Sequence, residues 1–460
     1  MRGCKPAGEQ NATLPNECPL VLIHTRHFKQ NKHMNFEETS RHVTVLGAGM
    51  VGVSCALALQ AKGWHVTLVD KRGPGEETSA GNAGVLSRSS LLPFNRPGLL
   101  QNLPRMLSKP GPGLHVRPSA MLHWNFMWRF LWHARRQSFD ITTVALDGLI
   151  QLSSQTHKAW LAQTNQDKRL RENGWLWLFE STAAWEGSAF SRDILNNFSV
   201  ASEALQGPEI QALEPHLAAQ FAHALWIKDA ASVDNPGAVV KAYANQFASL
   251  GGVIQQNGVR ALQRQPHGWQ WQDTKGESHW AANLVVALGP WSESLLQASQ
   301  LPSQFNAHMA FERGYHRHFK PVPGVSLQRP VYDTAGAYVL SPMLNAEGQT
   351  EFRMTTGVEL AARDAATNMA QLEAAENAVR RVIPLKESVA GSDWMGSRPT
   401  TPDSRPVIGE MPQCPGLWLA FGHQHIGFST GPGTGVLLAE LMAAESTSIN
   451  PAPFSPERFS

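Results

Sequence analysis

The chain has 460 residues, 42% hydrophobic and 17% charged, with a formal net charge of +2. This length accommodates two or three domains, and the composition supplies a large core. The near-neutral balance does not favour a nucleic-acid partner, and no run approaches the roughly 18 apolar residues of a membrane span.

Residues 1–40 are polar and aperiodic and read as a disordered extension. Their one apolar run, Leu20-Val21-Leu22-Ile23, is too short for a signal-peptide core, and Met34 stands as an alternative start just before the first strand. Cys4 and Cys18 lie here, and Cys55 and Cys414 stand apart. No pairing of these four suggests a disulfide framework or a zinc site, so no metal is expected and a reducing, cytoplasmic setting is.

From His42 the pattern becomes regular. A β-branched run through Val45 and Leu46 enters Gly47-Ala48-Gly49-Met50-Val51-Gly52, followed by an apolar helical run to Gln60 and a strand, Val66–Val69, that ends in Asp70. Gly47 permits a tight turn, Gly49 admits a pyrophosphate to the backbone, and Gly52 lets helix and strand pack closely. The helix start offers N–H groups to phosphates, and Asp70, 18 residues after Gly52, is placed for ribose hydroxyls. This order of strand, turn, helix, strand and acid predicts dinucleotide binding. The alternative is a tight turn in an ordinary α/β protein.

After Lys71 and a turn, Glu77–Gly84 is a small-residue loop suited to close backbone approach, with Ser79, Asn82, Ala83 and Gly84 as its candidates. Residues 93–118 are rich in proline and glycine and read as irregular. In 121–136, Trp124, Trp128 and Trp132 recur every four residues on one helical face. The spacing fits a core helix of a second domain first. A second reading is an interfacial helix, with Arg129, Arg135 and Arg136 near lipid phosphates. Helical stretches are expected around 144–164 and 193–206, and a strand at 175–179. Asp234 or Asn235 caps a helix with Pro236 in its first turn. Short strands follow near 258–264, 268–273 and 278–281, and Asn283–Ala287 returns to the first sheet.

A second sheet is predicted from 311–319, 337–342 and 352–359. Alternation puts Arg313, Tyr315 and Arg317 on one face and Glu312, Gly314, His316 and His318 on the other. A helix covers 370–382. Finally a strand, Leu417–Ala420, leads into Gly422–Gly435 and an apolar helix, Val436–Met442. This second glycine-rich helix start aims further positive dipole at one spot, which suits a flavin whose reduced ring is anionic.

Six stretches together resemble the FAD-dependent D-amino acid oxidase superfamily, nearest the bacterial D-amino acid dehydrogenases. They are Val45–Gly52, Glu77–Gly84, Val286–Ser292, Glu312–His316, Arg398–Asp403 and Gly422–Gly427. The resemblance spans about 41–445. It implies an α/β chain, α+β overall, with a discontinuous Rossmann-like FAD domain (41–120, 231–300, 391–446) and an interleaved antiparallel-sheet substrate domain (121–230, 301–390), leaving 447–460 as a tail. FAD contacts are implied at Val45 to Gly52, Asp70, Lys71, Ser79, Asn82, Ala83, Gly84, Val259, Gly289, Gly422 and Gly427.

The implied reaction is oxidation of a D-amino acid by hydride transfer from Cα to flavin N5. The imine then hydrolyses to a 2-oxo acid and ammonia, and electrons pass to a quinone or other carrier. Such chemistry needs an arginine clamp for the carboxylate, Tyr or His hydrogen bonds, and an apolar side-chain pocket. Arg353 on the substrate sheet is the candidate clamp, with Arg313, Tyr315, His316, Tyr338 and His425 as further candidates for substrate contact. Arg398 is read as a brace for the flavin-site loop. Related activities on hydroxy-D-proline, glycine or sarcosine, an oxidase, and a non-catalytic flavoprotein subunit are the alternatives. On the second reading of 121–136, this helix would make peripheral contact with the inner face of the cell membrane.

Overall fold

The computed structural model describes residues 41–99, 113–117, 124–299 and 301–460. The expected N-terminal extension lies outside these residues, as does most of the proline-rich stretch. In chain order the principal elements begin with β1 (His42–Leu46), α1 (Met50–Ala61), β2 (His65–Asp70), β3 (Leu114–Val116), α2 (Trp124–Trp132) and α3 (Arg136–Gln163). Next come β4 (Trp175–Phe179), β5 (Ser202–Gln206), β6 (His223–Ile227), α4 (Pro236–Ser249), β7 (Val253–Gln256) and β8 (Asn283–Val286). The second half contributes β9 (Ala310–Pro321), β10 (Val331–Asp333), β11 (Tyr338–Leu344), β12 (Thr350–Thr356), β13 (Val358–Leu360) and α5 (Ala370–Val382). The chain closes with β14 (Trp394–Thr400), β15 (Val407–Glu410), β16 (Leu417–Phe421) and α6 (Gly427–Met442).

One sheet has the order β7-β2-β1-β8-β16-β15, parallel except for the last pair. Its strands come from four separate stretches of chain. The glycine pattern explains the first crossover. A Cβ on Gly52 would lie 1.8 Å from the Gly47 carbonyl oxygen, so only glycine lets α1 pack on β1. Asn235 caps α4 through its Oδ1, which accepts from the Ala238 N–H, and Pro236 occupies the first helical position, as the sequence predicts.

The second sheet runs β3-β13-β9-β12-β11-β10-β4-β6-β5, and β14 pairs with β9. Alternation along β9 is as predicted. Arg313 and Tyr315 share a face, and the His316 and His318 rings lie 5.2 Å apart, tilted by 38°, on the other. Beneath one side, α5 buries Leu372, Ala375, Val379 and Val382 against Phe319, Phe352 and Met354.

Three expectations differ from the structure. Residues 193–206 are not one helix: a helix ends at Asn197, and Ser202–Gln206 forms β5, because pairing with β6 outweighs local helix propensity. Trp394–Thr400 belongs to the substrate sheet rather than to the third dinucleotide-domain segment. The chain from 447 is no loose tail, since Phe454 is fully buried in the core shared by β1, α1 and α6.

Candidate active site

A cavity of about 1620 Å³ separates the two sheets. At one end stands the β1–α1 turn. Gly47 has φ +110°, and a Cβ there would meet the Ala287 carbonyl oxygen at 2.4 Å, so the turn is closed by β8. The Asp70 carboxylate accepts from the Ala48 N–H at 2.6 Å and the Arg72 N–H at 2.8 Å. Burial raises its pKa against these bonds. The Ser79 hydroxyl accepts from the Met50 N–H at 2.9 Å, which ties the 77–84 loop to the α1 N-terminus.

Gly47, Gly49, Met50, Val51, Asp70, Lys71, Ser79, Asn82, Ala83, Val259, Gly289 and Gly427 line this cavity. Six other candidates sit behind the lining. Val45 and Leu46 are buried in β1, and Ala48 and Gly52 lie in the turn and helix that they shape. Gly84 and Gly422 take φ +75° and +83° at tight turns. Beside the β1–α1 turn Gly427, Phe428 and Ser429, the first residues of α6, line the same space, and a Cβ on Gly427 would lie 4.0 Å from Val51 of α1. Two helix N-termini therefore open on one cavity, an arrangement that fits a dinucleotide with a pyrophosphate at α1 and an electron-rich ring at α6. His157 fixes the second of them, since its Nε2–H donates to the Phe428 carbonyl at 3.0 Å.

The five expected substrate contacts separate into two groups. Arg353, Tyr315 and His316 are not at the cavity surface; Tyr338 and His425 are. Arg353 commits two of its three nitrogens: Nη1 to the Ala80 and Asn82 carbonyls at 2.7 and 2.6 Å, and Nε to His318 Nε2 at 2.8 Å. The His318 Nδ1–H in turn donates to Glu351 at 2.7 Å. His316 stacks on Trp394 at 5.0 Å and approaches the Gly81 carbonyl with Nδ1 at 3.3 Å. Arg353 and His316 thus hold the 77–84 loop from beneath. Tyr315 lies on the opposite face of β9, where its hydroxyl donates to Glu359 at 2.7 Å and accepts from Arg313 at 3.1 Å.

Arg398 occupies the position expected for Arg353. It lines the cavity and forms no hydrogen bond or ion pair among the described residues. Its guanidinium passes over Gly314, where a Cβ would lie 2.1 Å from Nη2. Glu312 is its cross-strand partner in the β9–β14 register. Burial pushes the Glu312 carboxyl up to about 7, against the opposing pull of Arg398. Near neutrality Glu312 is therefore often uncharged, and the Arg398 charge is left available.

His425 stands beside this arginine. Gln424 adopts φ +50°, and its amide donates to the Ser404 carbonyl, so a strained turn fixes the approach to α6. The His425 ring packs 4.8 Å from Phe94, and its Nδ1 is buried without a partner. Burial first, then Arg398, lowers its pKa to about 3, so it is neutral at physiological pH. Tyr338 lies fully buried at the cavity wall, its phenol pKa raised by burial and by Asp333. Beyond it Trp175 and Trp177 meet edge to face at 5.8 Å, and Tyr332 stacks on Trp175 at 6.3 Å. The sequence reading does not single out Glu312 or these aromatics as site residues. Their signal was the two-residue alternation of β9 and β4, which fixes who shares a face but not which face meets a cavity.

The family described as "FAD dependent oxidoreductase" (DAO) matches residues 42–441. A D-amino-acid oxidase of Bradyrhizobium diazoefficiens is 28% identical over 431 residues, covering 91% of this chain and 99% of that protein. D-amino acid dehydrogenase 2 of Ralstonia nicotianae is 29% identical over 438 residues, covering 90% and 99%. Among solved structures, glycine oxidase from Geobacillus kaustophilus is similar with TM-score 0.66 at 22% identity, covering 90% of this chain and 97% of that one. L-proline dehydrogenase from P. horikoshii is similar with TM-score 0.67 at 16% identity, covering 91% and 97%.

Proposed function

The chain belongs to the DAO family of FAD-dependent oxidoreductases, and on that premise we propose that it is a D-amino acid dehydrogenase that passes electrons to a quinone or other carrier. FAD is its cofactor and amino acid oxidation its chemistry. The curated relatives named for D-amino acids support the stereochemistry. When bound, FAD supplies the two-electron oxidant for the substrate Cα–H bond.

The observation that carries the proposal is Arg398, a cavity-lining guanidinium without a protein partner, close to the α6 N-terminus. It would hold the substrate carboxylate by a bidentate pair, which fixes two points of the amino acid and so the direction of its Cα–H bond. Burial in this cavity beside the Arg398 charge disfavours a protonated substrate amine and so favours the uncharged form able to become an imine. His425, held neutral, accepts a hydrogen bond from that amine without adding a negative charge. Tyr338 and the Trp175, Trp177 and Tyr332 wall surround the side chain and keep water from the reacting carbon. Once released into water the imine hydrolyses to the 2-oxo acid and ammonia.

Anaerobic addition of D- and L-amino acids to the purified flavoprotein tests this reading. Bleaching of the flavin band by D-forms, followed by reoxidation by a quinone faster than by air, is expected. A flavin bleached only by L-forms, or by no amino acid, would overturn it.

A further inference from the structure

The outer face of α2 carries what the core cannot use. Trp124, Trp128 and Trp132 are 70%, 42% and 53% exposed, so the reading of this stripe as core does not hold. Arg135 stacks 3.2 Å from the Trp132 ring centre, and Arg129 lies 4.8 Å from that of Trp128. The inner face of the same helix is different. Phe126 and Phe130 stack on one another at 5.3 Å, and with Met127 they line the FAD and substrate cavity.

The surrounding sequence is strongly one-sided in charge. Between Glu77 and Asp140 there are eight Lys or Arg residues and no Asp or Glu, in a chain whose net charge is only +2. Arg88, Arg117 and Arg136 are paired with Asp147, Glu359 and Asp140, so Arg129 and Arg135 carry the charge beside the tryptophans. Exposed tryptophans interleaved with arginines match the headgroup region of an anionic bilayer, where the indole takes the interface and the guanidinium meets phosphate. A second copy of this chain is a poor occupant, because a two-fold contact through this face sets like charges against each other. No described helix is long and apolar enough to cross a membrane, so contact would be made on the surface.

We propose that the outer face of α2 docks on an anionic phospholipid surface, bringing the cavity wall formed by its inner face next to the bilayer. The electron carrier then needs no long path through water: a lipid-soluble quinone is delivered at the cavity itself. That last consequence rests on the dehydrogenase reading above, whereas the docking surface does not.

The full-length FAD-loaded protein is floated with vesicles of equimolar phosphatidylglycerol and phosphatidylcholine, and with phosphatidylcholine alone. Binding is expected to the anionic vesicles only. The triple variant Trp124→Ala, Trp128→Ala, Trp132→Ala should bind at least about tenfold more weakly, with its flavin spectrum and its dye-coupled rate unchanged. In vesicles carrying a long-chain quinone, its quinone-coupled rate should fall in step with binding. A parent protein that stays in solution would overturn the proposal. So would a triple variant that floats as well as the parent, or equal displacement of both by heparin, which would mark a general polyanion surface. Loss of a dimer in the triple variant without a change in flotation would assign the face to self-association. Dye-coupled oxidation of D-amino acids without vesicles separates the two proposals: its absence, with flotation intact, removes the reaction and leaves the surface.

Discussion

At the residue scale the two arginines on the substrate sheet have different surroundings. Arg353 is the longer-range tie, reaching two loop carbonyls across more than 270 residues of sequence, and Arg398 is the open cation. Replacing Arg398 by Met should raise the amino-acid KM by roughly 30- to 1000-fold, about 2–4 kcal/mol for a charge-assisted bidentate pair, with FAD retained. Arg353→Met should do the reverse: FAD dissociates more readily on dilution, while the loaded fraction keeps its KM. A shared loss of KM in both variants would refute this division. Glu312 adds a pH dependence. Its carboxyl titrates near 7 with Arg398 and Thr400 as its charged and polar neighbours. Below that pH it is neutral and leaves the Arg398 charge to a ligand; above it the carboxylate competes. The dissociation constant of acetate, which cannot be oxidised and stays ionised throughout, should therefore rise as pH passes 7. In Glu312→Gln it should stay flat, and a persistent inflection there would assign the titration elsewhere.

At the scale of elements, α6 has two functions that the sequence presents as one glycine-rich motif. Its first turn faces the cavity, whereas Gly433 and Gly435 serve packing. A Cβ on Gly435 would lie 2.4 Å from the Ser54 carbonyl oxygen in α1, and one on Gly433 2.8 Å from the Leu149 carbonyl oxygen in α3. Three helices thus meet backbone to backbone behind the cofactor. Gly435→Ala should lower unfolding stability by about 1–3 kcal/mol, the range for overpacking a tight core, as read by denaturant midpoint in the FAD-loaded protein. Flavin absorbance at rest should change little, since residue 435 does not touch the cavity. The helix boundaries follow from local signals where those are strong: Asn235 and Pro236 start α4, and 370–382 is helical as its periodicity predicts. They fail where a partner strand decides, as at Ser202–Gln206.

Over the whole molecule, the C-terminal segment locks the first sheet to the substrate sheet's connection. Arg458 donates to Asp403 at 2.7 Å and to the Arg405 and Pro406 carbonyls at 2.8 and 3.0 Å. Burial alone would raise the Asp403 pKa, but Arg458 and Arg405 outweigh it and hold the carboxyl down at about 2. Because its folded pKa lies below the usual 3.8, its stabilisation is full above about pH 4 and is lost as pH falls through 2. Arg458→Ala should lower stability by about 2–4 kcal/mol at neutral pH by leaving a buried carboxylate short of a partner, and the difference from the parent should shrink in that acid window. Sequence by itself determined the dinucleotide turn with its acid, the cofactor, the family, the two-sheet plan and the face shared by each residue of β9. These rest on local patterns, because a glycine's missing Cβ and a two-residue alternation act within one segment. Only the tertiary structure decided which arginine is free, that the tryptophans of α2 face outward, and that the C-terminus is clamped. Each of those depends on what a distant segment presents to the side chain: loop carbonyls for Arg353, none for Arg398, solvent for Trp124. A linear pattern contains no record of that supply.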